Sequence, residues 1–398
     1  MQNSKVHEKK VLYLARWYPN QSDPMPGLFI RRHALSVLPF YKVSVLSVHL
    51  SFVPGASKYE TVINTENGLF EVAIYTKASK SGILILDSAV NIYRFFIAHL
   101  KGIKLIHSTF GKPDLIHVNV LTRCGLIACL YQLIYGTPYV ITEHWTRYLP
   151  GMGKFKGITR KFTARVVTRY ASAILPVTHN LQLAMEKHGL KNSNYQVIPN
   201  VVDCQLFTTL EIVNFQEVKT ILHVSCFEDT QKNISGLLRV LKRLSNIRTD
   251  WKCTMAGDGI HFDKLVLLAG ELGIKDTFVS FTGLRENEDL ARLMREATFQ
   301  VLFSRYENLP VVIPESFASG VPFLSTDVGG INEHITEKLG KLIASEDEPA
   351  LLEALIYMLD NQEFYNKDYI RNYALEHFSQ EIVGKQISEI YDNILSEK

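Results

Sequence analysis

Paired cysteines are missing from this chain. Its five, Cys124, Cys129, Cys204, Cys226 and Cys253, are odd in number, scattered, and contain no CxxC pair. That argues against a disulfide framework and a zinc site, and makes a reducing cytosol the expected compartment. A signal-peptide core is missing too: MQNSKVHEKK is polar and leads into only five apolar-type positions, VLYLA, too few for one. The longest apolar stretch, Cys124 to Ile141, is broken by Gln132 and by Gly136-Thr137-Pro138. It predicts a helix, a turn and a strand rather than a membrane span. With 46% hydrophobic and 21% charged residues there is no collagen-like, low-complexity or disordered bias. At 398 residues the chain is long enough for two domains, each able to bury most of its surface, which disfavours a one-core binding module.

Acidic residues are scarce in the first half. Residues 1–202 carry 24 Lys and Arg against 9 Asp and Glu, a net +15, whereas the remainder carries −12. Such asymmetry marks the half that meets an anionic surface or ligand. Between Glu143 and Glu186 there is no carboxylate at all, while Arg147, Lys154, Lys156, Arg160, Lys161, Arg165 and Arg169 supply seven cations. Lys161, Arg165 and Arg169 recur every four residues beside Phe155, Ile158, Phe162 and Val166, which predicts a basic amphipathic helix with an apolar edge. Two readings are open: a helix resting on anionic lipid, or one packing its apolar side on its own sheet with solvated cations. Nucleic acid is disfavoured, because aromatics are not interleaved with the cations.

Strand-like runs alternate with helix-length segments: VLYLA (11–15), KVSVLSV (42–48), DLIHVNV (114–120), YVITE (139–143), AILPVT (173–178) and QVIPNV (196–201). The rhythm breaks near Asn200 to Gln216 and resumes with KTILHVS (219–225), WKCTMAG (251–257), TFVSFTG (277–283), TFQVLFS (298–304) and VPFLST (321–326). Strand-helix-strand alternation implies parallel sheets, so the expectation is α/β with two doubly wound domains in series. They are residues 1–202, joined by the terminal helical segment 376–398, and residues 203–375. Ligands of open parallel sheets sit at the carboxyl ends of the strands, and the cleft between two such sheets is the default site.

The stretch richest in chemistry is Ser304-Arg305-Tyr306-Glu307-Asn308-Leu309-Pro310-Val311-Val312-Ile313-Pro314-Glu315, which follows TFQVLFS and enters a short helix stopped by Gly320 and Pro322. Pro310 and Pro314 fit the first-turn region, leaving the amides around Val311 to Ile313 open to an anion. With AGDG (256–259), FTGL (281–284) and SRYENLPVVIPESFASGVPFLSTDVGG (304–330), the Glu-x7-Glu spacing of Glu307 and Glu315 resembles the retaining GT-B glycosyltransferases of glycosyltransferase family four. RWYPNQSDPMPGLFIRRH (16–33), ITEHW (141–145) and VIPNVVD (197–203) resemble the amino-terminal markers of that family, so the likeness covers essentially the whole chain.

The resemblance implies a GT-B fold, two Rossmann-like domains facing across a cleft, with the acceptor bound by the first and a nucleotide-diphosphate sugar by the second. It gives Glu315 to the nucleotide ribose, which suits a carboxylate accepting from vicinal hydroxyls. It sets Glu307 against the donor sugar and the backbone of Asn308, Leu309, Pro310 and Val311 near the sugar hydroxyls and diphosphate. Lys232, in VSCFEDTQKN, matches a basic pair that grips the phosphates, but Cys226 stands where the family carries the other member, an arginine. Leaving-group stabilisation must then lean on Lys232, helix amides or another cation. His144, at the end of YVITE, matches a histidine beside the reaction centre. His117, inside a strand, is either a site group or core. Gly27 either lets backbone approach a phosphate or acceptor, or only shapes a turn. Arg31 and Arg32 follow it, and Arg31 joins Lys161, Arg165 and Arg169 as candidates for an anionic acceptor or membrane surface.

No Asp-x-Asp pair or His cluster lies near these turns, so no metal and no cofactor are expected. The implied activity is retaining, metal-independent hexosyl transfer from a nucleotide sugar to a glycan or lipid-linked acceptor, in cell-surface polysaccharide or lipopolysaccharide assembly. The expected location is the cytoplasm, with peripheral contact at the inner membrane face. Two alternatives stand beside it: a GT-B sugar-nucleotide epimerase, and a non-catalytic nucleotide-sugar binder, which the missing arginine at Cys226 favours.

Overall fold

The structure is a computed structural model describing residues 7–21, 23, 25–51, 58–150, 152–153, 155–209 and 218–397. Lys154 and much of the expected break between residues 200 and 216 lie outside the described residues, as do the first six positions. The contacts within the chain divide it into two units: Met1–Val177 with Leu181–Pro199 and Val383–Lys398, and Asn200–Ile382 with Thr178–Asn180. The return to the first unit falls at Val383, not at residue 376, because the helix before it packs on the second core.

The first unit contains strands β1 (His7–Ala15), β2 (Tyr41–Ser51), β3 (Tyr59–Glu66), β4 (Leu69–Lys77), β5 (Leu115–Asn119), β6 (Tyr139–Glu143) and β7 (Ala173–Pro176). Its helices are α1 (Leu28–Val37), α2 (Leu84–Thr109), α3 (Thr122–Tyr135), α4 (Ile158–Tyr170) and α5 (His179–Lys187), the last with its first two residues in the other unit. The sheet order is β3-β4-β2-β1-β5-β6-β7, parallel except for the β3–β4 hairpin. Its central strands, LIHVN and YVITE, are buried at every position, because helices cover both faces of a parallel sheet. The stretch from Cys124 to Ile141 is the helix, turn and strand its sequence predicts. QVIPNV is no strand: Gln196 and Ile198 donate to β7, but the pairing amounts to an isolated bridge between Ile174 and Tyr195.

The second unit contains β8 (Lys219–Val224), β9 (Trp251–Ala256), β10 (Val279–Gly283), β11 (Phe299–Leu302), β12 (Phe323–Thr326) and β13 (Gly340–Ile343), all parallel in the order β10-β9-β8-β11-β12-β13. Helices α6 (Asp229–Lys232), α7 (Ile234–Ser245), α8 (Phe262–Glu271), α9 (Asn287–Glu296), α10 (Val312–Ala318), α11 (Glu348–Asp360) and α12 (Lys367–Phe378) surround it. The last helix, α13 (Gln380–Ser396), begins in this unit and ends in the first. There Tyr391 is fully buried and its hydroxyl meets the His117 imidazole and, at 3.1 Å, the Tyr13 hydroxyl. His117 also contacts Thr142 Oγ1 at 2.6 Å, so it is a satisfied core histidine, and burial pushes its pKa well below the usual imidazole range.

Candidate active site

Strand order in the second unit reverses between β8 and β11, so the loops leaving their carboxyl ends diverge and open a crevice. Lys232 stands on one loop and Glu307 on the other. After β8 the chain passes Cys226, whose thiol is exposed, and enters the one-turn helix α6. Asn233 ends that turn at φ 49°, a left-handed conformation that asparagine tolerates better than most residues. Arg305 ties the two loops together. Its amide donates to Gln231 O at 2.8 Å, and its guanidinium donates to Asp229 O at 2.6 Å and to Asn233 Oδ1 at 2.7 Å.

This scaffold fixes a buried ion pair. Lys232 Nζ lies 2.5 Å from Glu307 Oε1, with the two residues 8% and 4% exposed. Ser304 Oγ donates to the same oxygen at 2.8 Å, and Gln231 Nε2 to Oε2 at 3.3 Å. Burial alone would lower the lysine pKa, but the Glu307 carboxylate beside it outweighs that and raises it above its ordinary value. Lys232, expected to grip phosphates, therefore places one of its three donors on Glu307. Arg305 does not replace the arginine absent at Cys226, since its nitrogens go to the loop and to Glu346.

Beyond the pair the chain is clamped from several sides. Asn308, 6% exposed, accepts from Thr178 Oγ1 at 2.8 Å through Oδ1 and from the Gly330 amide at 3.0 Å through its carbonyl. Asn200 Nδ2 donates to Leu309 O at 3.2 Å. Gly329 sits at φ 64°, and a Cβ there would lie 2.0 Å from Glu307 O. Only glycine allows that approach. Glu315, 3% exposed, is on α10. Ile313 N–H, expected to be open to an anion, donates instead to Pro310 O at 3.1 Å, across the tight turn that leads into α10.

In the first unit, Gly27 has φ 72°, and a Cβ would come within 2.2 Å of Trp17 O. The turn against its own chain is what demands glycine. His144 is half-buried, its ring against Phe29 at 4.3 Å. Arg31 is no free surface cation: it is ion-paired to Glu66 at 2.8 Å and to Glu71 at 3.0 Å. Arg165 and Arg169 are exposed and Lys161 half-exposed on α4, with Arg165 leaning on the His188 carbonyl. The helix packs through Ala164, Val167 and Thr168, while Ile158 and Phe162 are 88% and 65% exposed. Ile158 and Phe162 are thus in solvent, whereas Phe155, just before the helix, is buried in the core of the first unit.

Arg305, Gln231, Ser304 and Thr178 were not legible as site residues. Ser304 and Arg305 lie inside the quoted motif, and the Gly329-Gly330 pair closes it, but Thr178 is 130 residues from its partner and leaves no local signal. Among the described residues no group of three or more His, Cys, Asp or Glu is placed to hold a metal ion.

Two Rossmann-like sheets in series, each with a switch-point crevice, define a GT-B fold. The solved sucrose-phosphate synthase of Thermosynechococcus elongatus shares that fold with a TM-score of 0.78 at 16% identity, covering 98% of this chain and all of that one. Anabaena HepE in complex with UDP and glucose does so with a TM-score of 0.72 at 17% identity, covering 97% of this chain and all of its own. Residues 71–206 match the model of Glycosyltransferase Family 4 and residues 211–375 that of Glycosyl transferases group 1; the chain belongs to this glycosyltransferase family. Among relatives, the N-acetyl-alpha-D-glucosaminyl L-malate synthase of Bacillus anthracis is 25% identical over 71% of this chain and 75% of its own length. The MMP alpha-(1->4)-mannosyltransferase of Mycolicibacterium hassiacum is 26% identical over 75% and 74%.

Proposed function

We propose that this glycosyltransferase moves a hexose-type sugar, with retention and without a metal ion, from a nucleoside-diphosphate sugar to a glycan or lipid-linked acceptor in polysaccharide or glycoconjugate synthesis. The observation that carries the reading is the buried Lys232–Glu307 pair at the switch point of the second unit. When the bond between the anomeric carbon and the diphosphate breaks, negative charge grows on the departing oxygen. Lys232 would meet it with donors not engaged by Glu307, in a site where burial strengthens the interaction. Glu307, held in place by Lys232 and Ser304, would accept from sugar hydroxyls, and Glu315 from the ribose. The acceptor oxygen attacks on the face the diphosphate leaves, and its proton passes to the departing phosphate. Retention is supported by relatives whose names describe alpha-linked products, the expected outcome of keeping the configuration of an alpha-linked donor. HepE, solved with UDP, supports a nucleotide donor.

The cations and exposed apolar edge of α4 support peripheral contact with anionic lipid; among the described residues no helix is long and apolar enough to cross a membrane. The donor reading is tested by calorimetry with UDP and by turnover with a nucleotide-sugar panel. Glu315→Ala should weaken UDP binding about tenfold, the loss of roughly one charge-assisted hydrogen bond. Lys232→Ala should lower kcat about 10²–10³-fold with a smaller change in KM. Wild-type-like behaviour of both variants would remove the assignment, and donor binding without turnover in the wild type would leave a nucleotide-sugar binder.

A further inference from the structure

The first unit has its own strand-order reversal, between β1 and β5, and its chemistry differs from that of the second. Four arginines line a cavity of about 290 Å³ at the carboxyl ends of its central strands. Arg16 follows β1, Arg123 opens α3 after β5, Arg147 follows β6, and Arg160 lies in the first turn of α4. Among the described residues none of the four is in an ion pair. Arg147 is 9% exposed, and its Nε, like that of Arg16, is buried without a hydrogen-bond partner.

The nearby carboxylate, Glu143, pulls on Arg16 and Arg147 but is in an ion pair with none of the four arginines, and one carboxylate cannot offset four cations. Glu143 is fully buried, and its oxygens accept from the amides of Leu121, His144 and Trp145 at 2.9–3.0 Å. Burial raises its pKa in spite of those bonds. Arg147 is brought down to about 10, first by burial and then by Arg160 and Arg16, against the pull of Tyr148 and Glu143. Cations driven together in a concave, partly dry site carry a standing electrostatic cost, which a bound anion relieves. Val120, at the end of β5, is at φ 70°, a strained conformation for a β-branched residue of the kind that clusters at ligand sites. The opposite wall is apolar, formed by Ile92 and Phe96 of α2 and Leu126 of α3. On the helices that line the cavity, Ile158 and Phe162 of α4 are exposed, as are Leu84 and Ile85 at the start of α2.

We propose that this pocket binds a phosphate or diphosphate group on the acceptor, held by Arg16, Arg123, Arg147 and Arg160, with the rest of the acceptor leaving past the apolar wall. The assignment rests on the glycosyltransferase reading for the word acceptor, while the anion site stands on the first unit alone. Arg–phosphate pairing is planar and often bidentate, which suits a fork of guanidiniums better than a carboxylate-lined pocket would.

The test uses the full chain, with calorimetry and tryptophan fluorescence, since Trp145 lies under both Arg147 and Arg16 and will report occupancy. The probes are inorganic pyrophosphate and farnesyl diphosphate below its micelle threshold, each against chloride at matched ionic strength. Saturable binding is expected, and Arg123→Gln with Arg160→Gln, half-buried and exposed positions, should weaken it at least about tenfold. UDP binding should change less than about twofold, because that site belongs to the other unit. Tighter binding of the farnesyl ester than of pyrophosphate, lost in the same variant, identifies a lipid-borne phosphate; equal binding identifies a soluble one. No saturable signal beyond chloride, or binding indifferent to the two arginines, overturns the site. Loss of the donor reading would appear separately, as failure to bind UDP with the phosphate response intact.

Discussion

Glu307 is where side-chain chemistry and backbone geometry meet. Its carboxylate is fixed by Lys232 and Ser304, and its carbonyl has Gly329 pressed against it. Gly329→Ala adds a Cβ 2.0 Å from Glu307 O and forces a non-glycine residue to φ 64°. The left-handed conformation alone costs roughly 1–2 kcal/mol, and the contact must be relieved by moving the very backbone that presents Glu307. The variant should therefore lose at least about 2 kcal/mol of stability in urea unfolding and most of its UDP affinity. Ser304 contributes to the same charge from three residues away, the spacing at which a turn brings side chains together. That proximity is local and the motif contains it, whereas the pairing of Glu307 with Lys232 spans 75 residues and is a product of topology.

At the level of single elements, α4 shows how a periodic pattern underdetermines a packing face. Phe155, Ile158, Phe162 and Val166 repeat at helical spacing, yet the buried side is Ala164, Val167 and Thr168. The small residues allow close approach to α3, where Gly125 faces Val167, and Ile158 and Phe162 are left outside while Phe155 is buried. An exposed apolar edge beside cations fits an interfacial helix. Ile158→Ser with Phe162→Ser should weaken binding to phosphatidylserine-containing vesicles at low salt at least about a hundredfold, since burying each apolar side chain is worth roughly 1.5–3 kcal/mol. Far-UV circular dichroism should be unchanged. Binding by the unsubstituted protein should fall steeply with added salt, and no vesicle binding at low salt would remove the peripheral-membrane reading. The β3–β4 hairpin and β13 escaped the sequence because β3 is mostly exposed, β4 mixes buried with half-buried positions, and β13 is buried only at its two ends.

Across the whole chain, both units bury neutral imidazoles. Burial lowers His33 and His99 in the first unit and His223 and His334 in the second to about 4. In the unfolded chain the same groups titrate near 6.5. Between pH 6.5 and 4 the unfolded state therefore binds more protons, so stability falls as the pH falls through that window and is fully present above it. The thermal midpoint should drop progressively from pH 7 to pH 4.5. His223→Asn, which keeps an amide for the Val301 carbonyl and cannot protonate, should flatten part of that slope; an unchanged slope would assign the acid sensitivity elsewhere.

The amino-acid order alone determined the parallel α/β class, the two-unit plan, and the motif that carries Glu307, Asn308 and Glu315, because buried parallel strands write continuous apolar runs and turn chemistry is local. It also determined the basic character of residues 1–202, which composition records directly. Only the tertiary structure decided which charges are free. Arg31 is neutralised by Glu66 and Glu71, Lys232 is shared with Glu307, and Arg16, Arg123, Arg147 and Arg160 are left together. The physical reason is that an ion pair depends on distance in space. Strand crossovers set that distance, and spacing along the chain does not.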